Sequence, residues 1–418
     1  MKRALLLLLT FPLIAMVAAC SPADPADGSA PAAEESTAPD TAAAPDTTAA
    51  PVEEDPFDVP SDMEGIRKKT IDYFNAMSEV KWIAPETMDY KDDCPWTTTL
   101  VYEKGQAYYG LPYSTYRAGV SLAEFEDYLD DKSVYKGPLE YRELIGGDCG
   151  SMRRAWAYGG ALCGFGMQGK DFQMIPGFSR PGNKIATTKV GHYDDSQFSS
   201  STPTFNNINE VNGTEVMYEA YAQLKACDII AYRFTLSTNG QIAQHIRMIV
   251  DDATVFRLNN GKIAPSRSYI TFSEQTSSIR TIDGKKTTWV LNEVMSFTDL
   301  YNKGCIPLRL ISMEKDAPDP VDMTATGFSK PENFASSPVL KGTIKCNYNI
   351  FETEITITDQ SGNVVSHAKV YPYDLQVMLS EIQLSTPVKE LPAGNYHFKT
   401  TATIGFGEKT VAEFDFTK

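Results

Sequence analysis

A long polar stretch near the amino terminus restricts where this chain can build a folded core. Residues 21–62 contain eleven acidic residues, no basic residue and almost no bulky apolar side chain. Such a stretch cannot bury enough apolar surface to offset the entropy lost on ordering, and its prolines and like charges keep it extended. We therefore predict a disordered tether over 21–62, with the folded core beyond it.

The residues before the tether have the pattern of an export signal. Lys2 and Arg3 precede the apolar run LLLLLTFPLIAMVAA, which is short for a membrane-spanning helix and ends at VAAC. Small residues followed directly by a cysteine are typical of bacterial lipoprotein signals. We predict a signal peptide over 1–20 with Cys20 as the lipid-modified residue; ordinary cleavage and release is the alternative. The expected location is extracytoplasmic, with acyl chains anchoring the protein to a bacterial membrane.

The charge and the cysteine spacing exclude several classes of partner. The formal net charge is −16, and setting aside the eleven acidic residues of the tether together with Lys2 and Arg3 leaves about −7 for the folded region. Without a basic stripe, we expect no nucleic-acid partner. Closely spaced cysteine pairs and histidines at metal-binding intervals are also missing from the sequence, so we expect no metal ion.

Apolar periodicity predicts helices first and strands later. Helical spacing follows two capping-box patterns, Ser61 with Glu64 and Ser121 with Glu124. After residue 224 the pattern changes to strands, which are DIIAYRF (228–234), QHIRMIV (244–250) and SYITFSEQ (268–275). This order favours an α+β domain over 63–313, with helices packed on an antiparallel sheet.

The remaining residues predict a linker and a second domain. Residues 314–338 carry four prolines and no periodicity, which indicates a linker. Residues 339–418 contain short alternating segments separated by turns such as QSGN and PAGN, and these predict a small all-β, immunoglobulin-like sandwich.

Cys149 is the candidate nucleophile. It stands in GGDCGSMRR at the predicted start of a helix, where backbone N–H groups and the helix dipole stabilise a thiolate. A thiol that transfers acyl groups also needs an imidazole within hydrogen-bonding reach. His245 begins an apolar strand after a turn, at a strand end where bases are often displayed, although a lone strand histidine is usually structural. His192 lies in a polar stretch typical of a solvated loop.

These features, taken in order, resemble the NlpC-type papain-like cysteine peptidases, which remodel the bacterial cell wall. The residues 148–151, Asp-Cys-Gly-Ser, are similar to the Asp-Cys-Ser-Gly motif of that family with the last two positions transposed. LKACDIIAYR and AQHIRMIV are similar to two strands of the family, and Gly-Leu-Pro-Tyr at 110–113 is similar to its G-x-P-Y motif. The similarity covers residues 100–280.

The resemblance implies a papain-like domain and a cysteine peptidase that cleaves amide bonds in peptidoglycan stem peptides. In this hypothesis Cys149 attacks the amide carbonyl, His245 carries the proton, and a polar residue of SYITFSEQ orients the imidazole. We choose Glu274 for that third position. Gln275, which faces the opposite side of a regular strand, is the alternative.

Two further residues are assigned supporting roles by the same hypothesis. The Tyr113 hydroxyl is a candidate donor to the oxyanion, and aromatic packing is an equally good interpretation. Asp148 positions the loop before the nucleophile or caps the helix. We expect a monomer without a cofactor, because thiolate, imidazole and hydrogen-bond donors suffice for the chemistry. A related amidase or acyltransferase acting on another amide or ester, and a non-catalytic surface-binding lipoprotein, are the alternatives.

Overall fold

A computed structural model describes residues 56–94, 97, 99–114, 121–146, 187–196, 203–237, 240, 242–337 and 339–418. The predicted signal peptide, most of the predicted tether, and the segment 147–186 with Asp148 and Cys149 lie outside these residues. The described residues belong to one compact unit, Asp55–Lys418.

The described helices are short, with one exception. Only α1 exceeds eight residues among the described helices, and none in that part of the chain is both long and apolar enough to cross a membrane. The helices are α1 (Met63–Glu79), α2 (Leu122–Glu126), α3 (Thr204–Val211), α4 (Thr214–Tyr221), α5 (Phe297–Lys303) and α6 (Pro331–Phe334).

Strands form most of the regular structure. They are β1 (Lys81–Ile83), β2 (Met88–Asp89), β3 (Val101–Tyr102), β4 (Ala107–Tyr109), β5 (Thr187–Lys189), β6 (Ile229–Thr235), β7 (Ile242–Ile249), β8 (Tyr269–Ile282), β9 (Lys285–Ser296), β10 (Ile306–Leu310), β11 (Met323–Thr326), β12 (Thr343–Ile350), β13 (Glu352–Asp359), β14 (Val364–Val370), β15 (Asp374–Met378), β16 (Asn395–Ile404) and β17 (Gly407–Thr417).

One large sheet organises the first part of the described chain. Its eight strands lie in the order β1-β4-β9-β8-β7-β6-β10-β5, and every neighbouring pair is antiparallel except β4 with β9. The strands predicted at 228–234, 244–250 and 268–275 correspond to β6, β7 and the first half of β8. The sharp turn between β8 and β9 places Asp283 and Gly284 at φ 49° and 78°, which matches a two-residue hairpin turn.

The expected helix-packed, papain-like α+β domain is wrong. Among the described residues, strands account for 40% and helices for 18%. Residues 81–109, for which the sequence predicts no regular element, contribute β1 to β4. Their aromatic side chains pack on one another, with the Trp82 ring centroid 5.0 Å from Tyr102 and 5.2 Å from Tyr108. Burial of these large rings between short strands stabilises extended backbone that has no periodicity of its own.

The start of α1 differs from its sequence prediction. The N-cap is Asp62, whose carboxylate accepts the Gly65 N–H at 2.9 Å, and not Ser61. Residues 56–62, the end of the predicted tether, are described: the Asp58 N–H donates to the Phe406 carbonyl at 2.9 Å. Phe57 is partly buried and packs against the core.

A buried ion cluster joins α1 and β10 to the start of β6. The carboxylate of Asp228 is fully buried and accepts from Arg309 at 2.6 and 2.8 Å, with Arg67 of α1 at 3.5 Å. Charges removed from water remain stable only when they are paired in this way. The cluster therefore holds β6, the strand that pairs with β7 and carries Tyr232 opposite His245.

Helix α5 is delimited by its caps. The Ser296 hydroxyl accepts the Asp299 N–H at 3.1 Å, and Gly304 ends the helix in the left-handed region at φ 68°. A Cβ atom at Gly304 would lie 2.2 Å from the Phe205 nitrogen of α3, so the glycine also permits close packing. The helix places the Lys303 ammonium 6.0 Å from the centre of the Tyr232 ring.

The last part of the chain forms two further sheets. Their strand orders are β11-β12-β15 and β14-β13-β16-β17. Strand β11 and helix α6 lie within the range 314–338 that the sequence assigns to a linker. The ring of Phe334 in α6 packs 4.8 to 5.1 Å from three phenylalanines of β16 and β17, which are Phe398, Phe414 and Phe416.

Candidate functional site

His245 is the fourth of the eight residues of β7, not at the strand end that the sequence predicts, and it lies where the strand passes from half-buried to buried residues. It pairs with Tyr232 of β6, and the two rings meet edge to face with centroids 5.7 Å apart. The imidazole keeps 19% of its side-chain exposure, so the ring is reachable from solvent but restricted by its neighbours.

Glu274 of β8 is the partner of His245. Met248 of β7 pairs with Ser273 of β8, so the register brings the next residues of the two strands, Arg247 and Glu274, alongside each other. The His245 Nε2 atom makes a short hydrogen bond with Glu274 Oε2. Because Nε2–H donates to the carboxylate, Nδ1 of a neutral ring carries the lone pair. Among the described residues, none makes a hydrogen bond with Nδ1.

Arg247 holds the same carboxylate and contacts the same oxygen as His245. Its Nε lies 2.8 Å from Glu274 Oε2 and its Nη2 3.5 Å from Oε1, while the guanidinium lies 4.6 Å above the Phe272 ring. Burial by itself raises the pKa of Glu274, but the His245 hydrogen bond and the charges of His245 and Arg247 outweigh it and lower the pKa to about 2. The carboxylate is therefore ionised at neutral pH.

Gln275, the alternative third residue, faces the opposite side of β8. Its amide nitrogen donates to the Leu111 carbonyl at 2.8 Å and to the Thr288 hydroxyl at 3.1 Å. The side chain is fully buried, and the Trp289 indole donates to the same Leu111 carbonyl at 3.0 Å. Gln275 thus anchors the segment before Tyr113, while Glu274 contacts the imidazole.

Tyr113 belongs to the buried core. Its side chain is 8% exposed, and its backbone N–H donates to the Tyr102 hydroxyl at 2.8 Å. The preceding residue, Pro112, approaches Gly146 closely, because a Cβ atom at Gly146 would lie 2.2 Å from the Pro112 carbonyl oxygen. Gly146, the last described residue before 147, therefore lies next to the segment that contains Tyr113.

Three predicted site residues lie outside the described part of the chain: Cys20, Asp148 and Cys149. Their assignments stay predictions from the sequence. The four described cysteines, Cys94, Cys227, Cys305 and Cys346, are buried. Burial raises the pKa of the Cys305 thiol to about 12, so this sulfur is protonated at neutral pH.

Arg247 is a site residue that sequence reasoning missed. It is two residues after His245 in HIRMIV, and strand geometry places such residues on one face. An arginine within an otherwise apolar, buried strand was the available signal, since a buried charge needs a partner.

The two histidines in the last part of the chain, His367 and His397, contact carboxylates at the surface. His397 lies 2.8 Å from Asp415 and 2.9 Å from Glu413, and His367 lies 2.8 Å from Glu354. Within the described ranges, no cluster of three or more histidine, cysteine, aspartate or glutamate side chains could hold a metal ion.

Comparison with known proteins adds little to this geometry. No family model and no curated protein matches the chain. A crystal structure of a tetra-tandem repeat in the extending region of a large adhesion protein is similar over 46% of this chain and 41% of that chain. The identity is 14% and the TM-score is 0.17, and a similarity at that level supports no conclusion about fold or function.

Proposed function

We propose that this protein is a thiol-dependent hydrolase of the bacterial cell envelope, with His245 as the base, Glu274 as the residue that orients it and Cys149 as the nucleophile. The observation that carries the proposal is the His245–Glu274 pair. The imidazole is bound through Nε2 to a buried carboxylate, which leaves Nδ1 to accept a proton, and the ring remains 19% exposed.

The chemistry follows from these groups. Nδ1 of His245 takes the proton from the Cys149 thiol, and the sulfur attacks the amide carbonyl carbon to give a tetrahedral oxyanion. When the carbon–nitrogen bond breaks, the imidazolium gives its proton to the leaving amine. Water then attacks the thioester, its proton passing to the same nitrogen, and release of the carboxylic acid regenerates the thiol.

Two sequence features support peptidoglycan stem peptides as the substrate class. The first is the similarity of the motifs around Cys149 and His245 to those of cell-wall cysteine peptidases. The second is the predicted lipoprotein signal ending at Cys20, which would keep the chain on the outer side of the membrane, within reach of the wall.

Muropeptide analysis tests the proposal. The full chain is incubated with purified sacculi and the released products are identified by mass. We expect Cys149→Ala and His245→Asn to abolish release, because each removes a group that the chemical step requires. Cys346→Ala and His192→Asn serve as controls, since Cys346 lies on β12 and His192 is exposed on another segment.

Full release by Cys149→Ala or His245→Asn would contradict the proposal. Products whose masses show cleavage or transfer at another amide or an ester would instead identify a related acyl-transfer enzyme. Rapid alkylation by iodoacetamide supplies a second measurement, because the described cysteines are buried. We expect Cys149 to react first, and equal labelling of all thiols in the folded protein would argue against an activated nucleophile.

A further inference from the structure

The guanidinium of Arg247 is nearly buried, and its contacts with oxygen atoms lie within the site. Its side chain is 10% exposed, and its oxygen contacts among the described residues are both with Glu274. The remaining contacts are a sulfur, the Met295 Sδ at 3.8 Å from Nη1, and two ring faces, those of Phe272 at 4.6 Å and Tyr232 at 5.4 Å. The arginine is fixed by this packing.

A single carboxylate therefore accepts hydrogen bonds from two basic groups. Glu274 Oε2 accepts from His245 Nε2 and from Arg247 Nε, so the oxygen that orients the imidazole is the one that the guanidinium holds. A carboxylate that faced only the histidine would place its whole negative charge beside the ring and favour the imidazolium. A permanent cation on the same oxygen weakens that effect without removing the hydrogen bond.

We propose that Arg247 is a positioning residue, which holds Glu274 in place and offsets its charge so that the imidazole is oriented while its proton remains exchangeable. This inference rests on the proposed function, because it gives His245 the part of a base. A guanidinium suits this place because its planar fork fixes the carboxylate in one orientation, whereas an ammonium acts as a point charge.

The charged and titratable groups around His245 come from four elements. Glu274 lies on β8, Arg247 on β7 and Tyr232 on β6, while Lys303 at the end of α5 reaches the Tyr232 ring and Cys305 follows it before β10. Burial raises the pKa of the Tyr232 hydroxyl and of the Cys305 thiol to about 12, so both stay neutral in the pH range of the test. Lys303 carries the same charge in wild type and variants, so the comparison isolates Arg247.

The test is a titration of the His245 ring by NMR in the full chain, with labelled histidine and the Cys149→Ala background. That background removes the predicted partner thiol, and the chain contains four histidines, so His245→Asn assigns the signal. We expect Arg247→Met to move the titration midpoint upward by about one pH unit, because the carboxylate then acts on the ring alone. Arg247→Gln, which can still donate to Glu274, should move it in the same direction. Arg247→Lys should stay close to the midpoint of the arginine form.

Activity of the same variants with Cys149 present gives the second readout. In Arg247→Met the acid side of the pH–rate profile should move upward with the ring titration. In Arg247→Lys the profile should keep its position while kcat falls several-fold at unchanged KM, because the charge remains and the fork is lost.

An unchanged ring midpoint in Arg247→Met and Arg247→Gln would overturn the inference. If neither variant folds, a full kcat for Arg247→Lys would overturn it, and a reduced kcat with an unmoved profile would support it. The proposed function is tested separately. Lytic activity that survives Cys149→Ala would contradict it. The ring titration is read without turnover, so it decides the role of Arg247 in either case.

Discussion

Replacing Glu274 by glutamine removes a buried charge while keeping the shape of the side chain. The carboxylate is 5% exposed and accepts from His245 and Arg247, so the variant leaves a buried guanidinium without its counter-ion. The pKa of Glu274 falls from 4.5 to about 2 in the folded protein. That difference corresponds to about 3 kcal/mol of folding free energy at neutral pH.

The pH dependence identifies the source of this stability. Because the folded pKa of Glu274 lies below the unfolded value, its contribution is complete above about pH 5 and is lost as the pH falls toward 2. The free-energy difference between wild type and Glu274→Gln should therefore be larger at pH 5 than at pH 3. Below about pH 4.5 it should shrink by about 1.4 kcal/mol per pH unit.

Urea unfolding followed by tryptophan fluorescence at pH 7, 5, 4 and 3 measures the difference. Trp289 is a buried reporter on β9, the strand next to β8. Glu293→Gln is the matched control, since Glu293 is an exposed carboxylate on β9, and it should change stability by less than about 0.5 kcal/mol. A gap between wild type and Glu274→Gln that is as large at pH 3 as at pH 7 would refute an electrostatic origin.

Two further pairs of variants test the packing that positions the site. Asp228→Asn leaves the buried Arg67 and the half-buried Arg309 without a counter-charge and should lower the unfolding free energy in urea by about 3 kcal/mol. Glu219→Gln, in an exposed ion pair, should cost less than about 1 kcal/mol, and equal losses would contradict the argument. Gly304→Ala should lower the free energy of unfolding by about 2 kcal/mol more than Gly261→Ala. Both glycines have positive φ, but a Cβ atom would clash with Phe205 only at Gly304. Equal melting temperatures of the two glycine variants would show that the close contact does not matter.

Part of the site could be predicted from the local sequence. The apolar and aromatic residues of DIIAYRF and HIRMIV indicate β6 and β7, and Asp283 with Gly284 indicates the turn after β8. The choice between Glu274 and Gln275 could not be made in this way. It depends on which residues of β7 and β8 lie opposite each other, and a shift of one residue would exchange the two faces.

The periodicity of apolar residues could not predict the fold class. Segment 81–109 has strands of two or three residues, too short for any alternation to be recognised, and these are held by Trp82 and its aromatic neighbours. The helical patterns after Ser61 and Ser121 are local and do not indicate how many strands the tertiary structure forms around them. The second of these patterns produced only the five residues of α2.

The sequence by itself determined the features that depend on neighbouring residues. These are the extended backbone of β6 and β7, the turn at Asp283 and the polar character of the amino-terminal region. The tertiary structure alone decided that Arg247 and His245 share one oxygen of Glu274, and that Gln275 holds Leu111 instead. The physical reason is that a strand presents alternate faces by rule, but the residue that each face meets is set by pairing between distant segments.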